Sequence, residues 1–263
     1  MPPALLDDLV RGAASEVLAA RGLDPAALPA DPGVGCPRDP AQGEYATSLA
    51  LRAAGGLAVT PRELAGWLAA ALVERPEVAD ARVAGPGFLN LWMTPAGRAA
   101  VVAEVLDPHR PVNDNAVSRE TAGALWDALV RGVDPALLAR RVPENPLFRL
   151  QYAHARTVAL ARNAADLGVD ARPGPLAAPA EIALVRALAE VTTARPGEPQ
   201  RLARHLEALA DAVVALPGTC PVLPRGDEPV TDLHRARLAA VAAARRVLAT
   251  GLGLLDLSAP DRI

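Results

Sequence analysis

The stretch from Asn145 to the last residue constrains the fold most, because its apolar residues recur at helical spacing throughout. It opens with NPLFRLQYAHAR at 145–156. We predict helices at about 146–167, 178–194, 199–216 and 231–252. Gly168 should end the first helix, Pro217-Gly218 the third, and Gly251 and Gly253 the last. Antiparallel packing of such helices predicts an all-α bundle.

The apolar residues are of the wrong kind for a buried parallel sheet. Hydrophobic residues make up 51% of the chain and aromatic residues 3%, and much of the apolar content is alanine. A parallel sheet needs dense β-branched runs, and none is visible. All 27 basic residues are arginines. The absence of lysine excludes a phosphate-binding loop of the Walker type, a nucleotide-binding signature loop that requires lysine, and a lysine that forms a Schiff base. We therefore predict no Rossmann-type nucleotide core.

The N-terminal part predicts a small α+β domain over residues 1–106. Helices are expected at 4–21, 44–54, 61–74 and from Pro95 to about Leu106, and prolines should prevent regular structure until about Gly43. Short strands are expected at 78–84 and 88–93, around a Gly-Pro-Gly turn. Residues 107–144 predict a linker, irregular over 107–117, with two short helices at 118–131 and 134–141. The helical domain then spans 145–263.

Charge and cysteine content limit the class of protein. The net charge is −3, but residues 1–107 hold 8 arginines and 13 acids, whereas residues 145–263 hold 14 and 12. Cys36 and Cys220 are too far apart in sequence for a metal knuckle or a redox motif. The chain starts without a cationic signal peptide, and the apolar run 65–73 is too short to span a membrane. We expect a cytoplasmic protein without metal, cofactor or membrane contact.

Two separate stretches resemble arginyl-tRNA synthetases. The segments QGEYATSLALRAA at 42–54, PRELAGWLAAAL at 61–72 and VAGPGFLNLWM at 83–93 resemble the N-terminal additional domain of that family. NPLFRLQYAHAR, Leu202–Leu216 and the tail LATGLGLLDLSAPDRI at 248–263 resemble its DALR anticodon-binding domain. The resemblance implies an α+β domain joined to an all-α domain, each of which contacts tRNA in the family.

The segment between these stretches leaves no room for the catalytic core that the family carries there. A doubly wound nucleotide domain needs several βαβ units of about 30 residues each. The four histidines lie in DPHRP, YAHAR, ARHLE and DLHRA, and none forms the His-x-Gly-His element that holds ATP in the family. We therefore expect no aminoacylation activity and assign no catalytic residue. The chain resembles a synthetase without its core, as in ArgS-related anticodon-binding proteins.

The resemblance assigns candidate residues to both domains. In the N-terminal domain, Phe88 and Asn90 match positions that read a D-loop base, by stacking and by an amide edge. The alternative is a core phenylalanine and a turn-capping asparagine. In the first bundle helix, Tyr152 and Arg156 lie four residues apart on one face and offer a ring and a phosphate-binding cation. Further candidates are Gln151, His154, Arg235, Arg245 and Arg246. The alternatives are bundle packing for Tyr152 and His154 and a solvated helix face for the arginines.

One part of the helical domain departs from the family. Where the family has an aromatic pair followed by Cys-Arg-Val-Leu, this chain has Leu216, Pro217 and Cys220-Pro221-Val222-Leu223. It ends in Ile263 where the family usually has Met. Each lost base stack weakens binding by about 1–3 kcal/mol. These departures predict weaker reading of the anticodon.

Three functions fit the sequence. The first is a non-catalytic module that binds tRNA, with arginine tRNA as the natural candidate. The second is a protein-interaction or regulatory module that has kept the scaffold and lost RNA reading, which the missing aromatics and the acidic N-terminal part favour. The third is the non-catalytic piece of a split arginine–tRNA ligase, which requires a separate catalytic chain.

Overall fold

The computed structural model describes residues 4–37, 39–109, 119–193 and 198–263. The chain divides into two compact units, with the boundary between Ala100 and Val101. The N-terminal unit is α+β and the C-terminal unit is helical, as the sequence predicts. Residues 110–117 of the expected linker, Ser118 and Ala194 lie outside the described residues.

The N-terminal unit packs helices on one face of an antiparallel sheet. Its helices are α1 (Ala4–Ala19), α2 (Leu49–Ala53), α3 (Pro61–Val73) and the start of α4 (Pro95–Leu106), and its strands are β1 (Val34–Gly35), β2 (Tyr45–Thr47), β3 (Val78–Ala84) and β4 (Phe88–Met93). In the described residues the sheet order is β1-β2-β4-β3. The helices α2 and α3 contact the sheet, and α1 contacts α3. The core therefore lies between α3 and the strand residues that point toward it, such as Leu89 and Leu91.

Two expectations for residues 25–54 are wrong. The proline-rich stretch contains β1, because Val34 and Gly35 lie between prolines and pair with β2. Residues 45–47, expected to be helical, form β2, and the helix α2 begins only at Leu49. Glu44 explains the difference, since its backbone N–H donates to Leu91 and its buried carboxylate accepts from the Met93 N–H at 2.9 Å. Pairing with β4 thus outweighs the local helical preference.

The C-terminal unit is a helical bundle. Its described helices are α5 (Arg119–Val130), α6 (Pro135–Leu138), α7 (Pro146–Asp166), α8 (Pro179–Thr193), α9 (Pro199–Thr219) and α10 (Asp232–Leu254). The helix α7 packs on α9 and α10, and α8 packs on α9. Gly168 ends α7 as predicted. At φ +66° it closes a Schellman turn in which the Val169 N–H donates to the Ala164 carbonyl at 2.8 Å.

Two predicted helix ends are wrong. The helix α9 continues past Pro217 to Thr219, because a proline near the end of a helix removes one hydrogen bond without preventing the last turn, where the Cys220 N–H donates to Leu216. The helix α10 passes through Gly251 and Gly253 to Leu254. Gly251 is buried against Leu206 of α9, where a Cβ atom would lie 2.5 Å from the Leu206 Cδ2. This glycine therefore permits close helix packing and does not end the helix.

Candidate nucleic-acid interface

The hairpin of β3 and β4 gives the sheet an open face that carries polar and aromatic side chains. Val78 pairs with Met93 and Asp80 pairs with Trp92, so Ala79 is the additional residue. Regular pairing from the turn at 85–87 places Asp80 and Arg82 on the same face as Trp92, and the bulge at Ala79 lets Val78 point to the core. On β4, Phe88, Asn90 and Trp92 lie at every second position, and they pair with Ala84, Arg82 and Asp80 in that order. We call this surface the open sheet face.

The Gly-Pro-Gly turn before β4 is held against the start of α3. Gly87 has φ +146°, and a Cβ atom there would lie 2.8 Å from the Pro61 Cβ. The Arg62 guanidinium donates to the Gly85 carbonyl at 3.0 Å. Phe88 follows this turn with 45% of its surface exposed, so it is not the core residue of the alternative interpretation. Its ring is available at the rim of the open sheet face.

Asn90 lies in the middle of the open sheet face. It pairs in register with Ala46 of β2 on one side and with Arg82 of β3 on the other, and it is 8% exposed. This position inside a strand excludes the alternative role of capping a turn. Arg82 and Trp92 were not among the sequence candidates, although the spacing of 88, 90 and 92 placed Trp92 on the same strand face. The register after the turn at 85–87, in which Ala84 pairs with Phe88, places Arg82 on this face as well.

In the helical unit, Gln151 and His154 bind the C-terminal tail. The Gln151 side-chain amide donates to the Ser258 carbonyl at 3.1 Å. The Nδ1 of His154 lies 3.1 Å from the Pro260 carbonyl, and His154 is buried. A Schellman turn with Asp256 at φ 55° directs the tail away from the end of α10. Gln151 and His154 therefore position a second segment beside α7.

Tyr152 and Arg156 lie on the accessible surface of α7. Tyr152 is 36% exposed and stacks on Phe148 with ring centroids 5.8 Å apart, so it is not packed into the bundle. Arg156 is exposed and forms no ion pair with the described residues. A stacking ring and an exposed cation one helical turn apart are suited to a nucleotide. The other arginine of this face, Arg149, is paired with Asp211 at 2.6 Å.

The three candidate arginines of α10 have different environments. Arg235 forms an ion pair with Asp170. Arg246 donates to the carbonyls of Val105 and Asp107, at 2.8 and 2.5 Å. Arg245 is exposed and borders a cavity of about 190 Å³ between α7 and α10, lined mainly by alanines. The structure therefore does not bring these arginines together as one strip of exposed cations.

The helical unit also contains a buried ion pair that orders the loop after α9. Glu181 accepts from the Arg237 Nε at 2.6 Å and from the N–H groups of Ala177 and Ala178, both at 2.8 Å. Burial acts to raise the pKa of Glu181, but these hydrogen bonds outweigh it and lower the pKa below the ordinary value. Arg237 also donates to the Pro221 carbonyl at 2.8 Å. The segment that departs from the family pattern is thus fixed by Arg237.

Among the described residues, no group of three or more His, Cys, Asp or Glu side chains is arranged to hold a metal ion. The helices of that part of the chain are each too short or too polar to span a bilayer.

Comparisons with known proteins match both units. Residues 5–93 match the family model described as the arginyl tRNA synthetase N terminal domain, and residues 150–263 match the DALR anticodon binding domain. The arginine–tRNA ligase of Clavibacter sepedonicus is 47% identical over 139 residues, which are 50% of this chain and 25% of that ligase. That of Kineococcus radiotolerans is 48% identical over 140 residues, with the same shares. The matches to these curated relatives span about a quarter of their length.

Proposed function

We propose that this chain, which combines the N-terminal and DALR domains of the arginyl-tRNA synthetase family, is a non-catalytic protein that binds tRNA, with arginine tRNA as the first candidate. The observation that carries the proposal is the pairing of these two domain types in one chain, with residues 94–149 between the two matches. Both domains present exposed rings, Phe88 on the sheet and Tyr152 on α7.

The binding mode follows from these surfaces. Phe88 and Asn90 offer a stacking ring and an amide edge to an unpaired base, while Tyr152 and Arg156 offer a ring and a cation to the anticodon arm. Contacts between arginines and phosphates supply most of the affinity and little of the specificity. The net charge of −3 does not oppose this mode, because the arginines act locally.

The absence of ligase activity is part of the proposal. The described residues of 94–149 form α4, α5, α6 and the first turn of α7, and they contain no strand. A doubly wound nucleotide-binding domain needs several βαβ units, each of about 30 residues. Arginine-dependent pyrophosphate exchange by the purified chain should therefore equal the rate without enzyme. Exchange above that rate would show that the chain activates arginine.

A gel-shift titration with an arginine tRNA transcript at low salt tests the binding itself. We expect the intact chain to bind, and Phe88→Ala to weaken binding about tenfold through the loss of one base stack. Val73→Ala is the matched control, because Val73 is a similarly exposed apolar residue of the same unit, 44% accessible and outside the open sheet face. Failure of the intact chain to bind any tRNA at low salt would overturn the proposal.

Crosslinking followed by RNA sequencing identifies the RNA that the chain binds in cells. We expect tRNA to dominate the crosslinked fraction, with arginine tRNAs enriched. A fraction without tRNA, together with a protein partner that resists nuclease treatment, would instead support an interaction module and contradict the proposal.

A further inference from the structure

The guanidinium of Arg82 lies over an aromatic ring on the open sheet face. Its guanidinium carbon is 4.7 Å from the centroid of the Trp92 ring. The Arg82 Nε donates to the Asp80 Oδ2 at 2.7 Å, and the other oxygen of Asp80 accepts the Ala81 N–H at 2.8 Å. The guanidinium plane is thus fixed by a carboxylate and a ring. The Arg82 side chain nevertheless remains 69% exposed, so the surface away from Trp92 is accessible.

We propose that Arg82, supported by Trp92, forms a second nucleobase-stacking position on the open sheet face, in addition to Phe88. The inference rests on the proposed RNA binding and specifies the kind of RNA that this face takes. A guanidinium is planar and stacks on aromatic faces, so Arg82 offers a flat cation to a base in the way that Phe88 offers a ring. Asp80 offsets the positive charge of Arg82, which favours stacking over phosphate binding as its role.

The spacing of these positions defines the ligand. The second position is the Arg82 guanidinium, which lies over the Trp92 ring. Phe88 and Trp92 are four residues apart on one strand face, a separation of about 13 Å. Stacked bases repeat at about 3.4 Å, so two bases held at these positions are splayed apart. Asn90 lies between the two positions and is only 8% exposed, so the accessible groups of this face are Phe88 and Arg82. The face therefore takes two unstacked bases of a single-stranded loop and rejects a continuous duplex.

Substitution of Arg82 separates stacking from charge. Arg82→Lys keeps the positive charge and removes the plane, whereas Arg82→Ala removes both. If Arg82 stacks on a base, both variants bind an arginine tRNA transcript about tenfold more weakly than the intact chain. The matched control is Arg21→Ala, because Arg21 lies over Trp67 with the guanidinium carbon 4.3 Å from the ring centroid. Trp67 belongs to α3, and Arg21→Ala should leave binding unchanged.

The outcomes distinguish this inference from the proposed function. If the intact chain binds tRNA and Phe88→Ala weakens binding, but Arg82→Lys binds like the intact chain, the second stacking position is wrong and the function stands. If the intact chain does not bind tRNA, both are wrong. Equal losses of tRNA affinity in Arg82→Lys and Arg21→Ala would also overturn the inference. They would show that removing any arginine–tryptophan contact of this unit weakens binding.

Tryptophan fluorescence gives a second test with the full chain. With Trp67 and Trp126 replaced by phenylalanine, Trp92 is the one remaining tryptophan, since the chain has three. We expect an unstructured RNA oligonucleotide to quench Trp92 and a blunt RNA duplex of the same length to leave it unchanged. Equal quenching by both RNAs, or by neither, would contradict a site for splayed bases.

Discussion

Glu44 and Arg98 are two charged residues that the N-terminal unit buries together. The Arg98 Nε donates to the Glu44 Oε2 at 2.8 Å and the Nη2 to the Oε1 at 2.6 Å, with side-chain exposures of 9% and 5%. The same carboxylate accepts the Met93 N–H. This pair joins the start of β2 to the end of β4 and to α4, and so fixes the strand that carries the open sheet face.

Replacing one partner of the Glu44–Arg98 pair should destabilise the fold more, per residue replaced, than replacing both partners together. Glu44→Gln or Arg98→Met leaves one buried group without its charged partner and should lower the free energy of unfolding by about 3 kcal/mol each. The double variant should lose clearly less than the two single losses together. Urea unfolding measures these differences. Arg75→Met is the control, because the Arg75–Glu16 pair is exposed and should contribute about 1 kcal/mol or less. Additive losses in the double variant would contradict this account.

His205 makes the stability of the helical unit depend on pH. Burial lowers the pKa of His205, the hydrogen bond with the Glu190 carbonyl and the Glu190 carboxylate act in the opposite direction, and Arg201 and Arg204 lower the pKa further. The unfolded chain, with a pKa near 6.5, therefore takes up a proton before the folded chain does. We therefore expect the contribution of His205 to stability to be full above pH about 6.5 and to decrease as the pH falls toward the folded pKa.

Replacing His205 should remove that part of the pH dependence. We expect His205→Asn to lose less stability than the intact chain between pH 7.5 and 5, measured by urea unfolding across the range. The control is His109→Asn, since His109 is exposed and its replacement should leave the pH profile unchanged. A steeper decline in His205→Asn than in the intact chain would show that protonated His205 stabilises the fold, contrary to this prediction.

At the level of elements, the two glycines of α10 have opposite roles. A Cβ atom at Gly251 would meet Leu206 of α9 at 2.5 Å, whereas one at Gly253 would meet nothing within 4 Å. Alanine favours helix over glycine by up to about 1 kcal/mol at both positions. Gly251→Ala should nevertheless destabilise the bundle by about 1–3 kcal/mol through overpacking, while Gly253→Ala should stabilise it. Thermal unfolding of both variants measures the contrast. Equal stabilisation by both would show that the Leu206 side chain or α9 moves to make room for a Cβ atom at residue 251 without loss of stability.

The elements that could be predicted from the sequence are those whose signals are local. The strands β3 and β4 follow from the Gly-Pro-Gly turn and the apolar alternation, and α3 follows from the Thr60 cap, whose hydroxyl accepts the Glu63 N–H at 3.2 Å. The strand β2 was missed because Glu44 and β4 determine its conformation from a distance. The end of α10 was missed because the effect of Gly251 depends on Leu206 of another helix.

The same distinction applies to the candidate site. Phe88 and Asn90 could be proposed from their motif, and the structure exposes the ring of Phe88. Arg82 was not proposed, because Val78, Asp80 and Arg82 alternate in the sequence and the apolar Val78 suggests that this face is the core. The bulge at Ala79 places Val78 on the other face, while the turn at 85–87 sets Arg82 opposite Asn90. The tail contacts of Gln151 and His154 were missed for a similar reason, since they join residues more than 100 positions apart.

At the scale of the whole molecule, the proposed tRNA binding by an acidic chain has to depend on local arginines, and this makes the salt dependence informative. If about four phosphates are contacted, raising the salt concentration from 50 to 200 mM should weaken binding roughly a hundredfold. Arg156→Ala should reduce the slope of log Kd against log salt by about one, because an exposed cation is lost. Phe88→Ala should weaken binding at every salt concentration and leave the slope unchanged, because stacking releases no counterions. Filter binding at four salt concentrations measures these slopes, and a salt-independent Kd would mean that arginine–phosphate contacts do not hold the RNA.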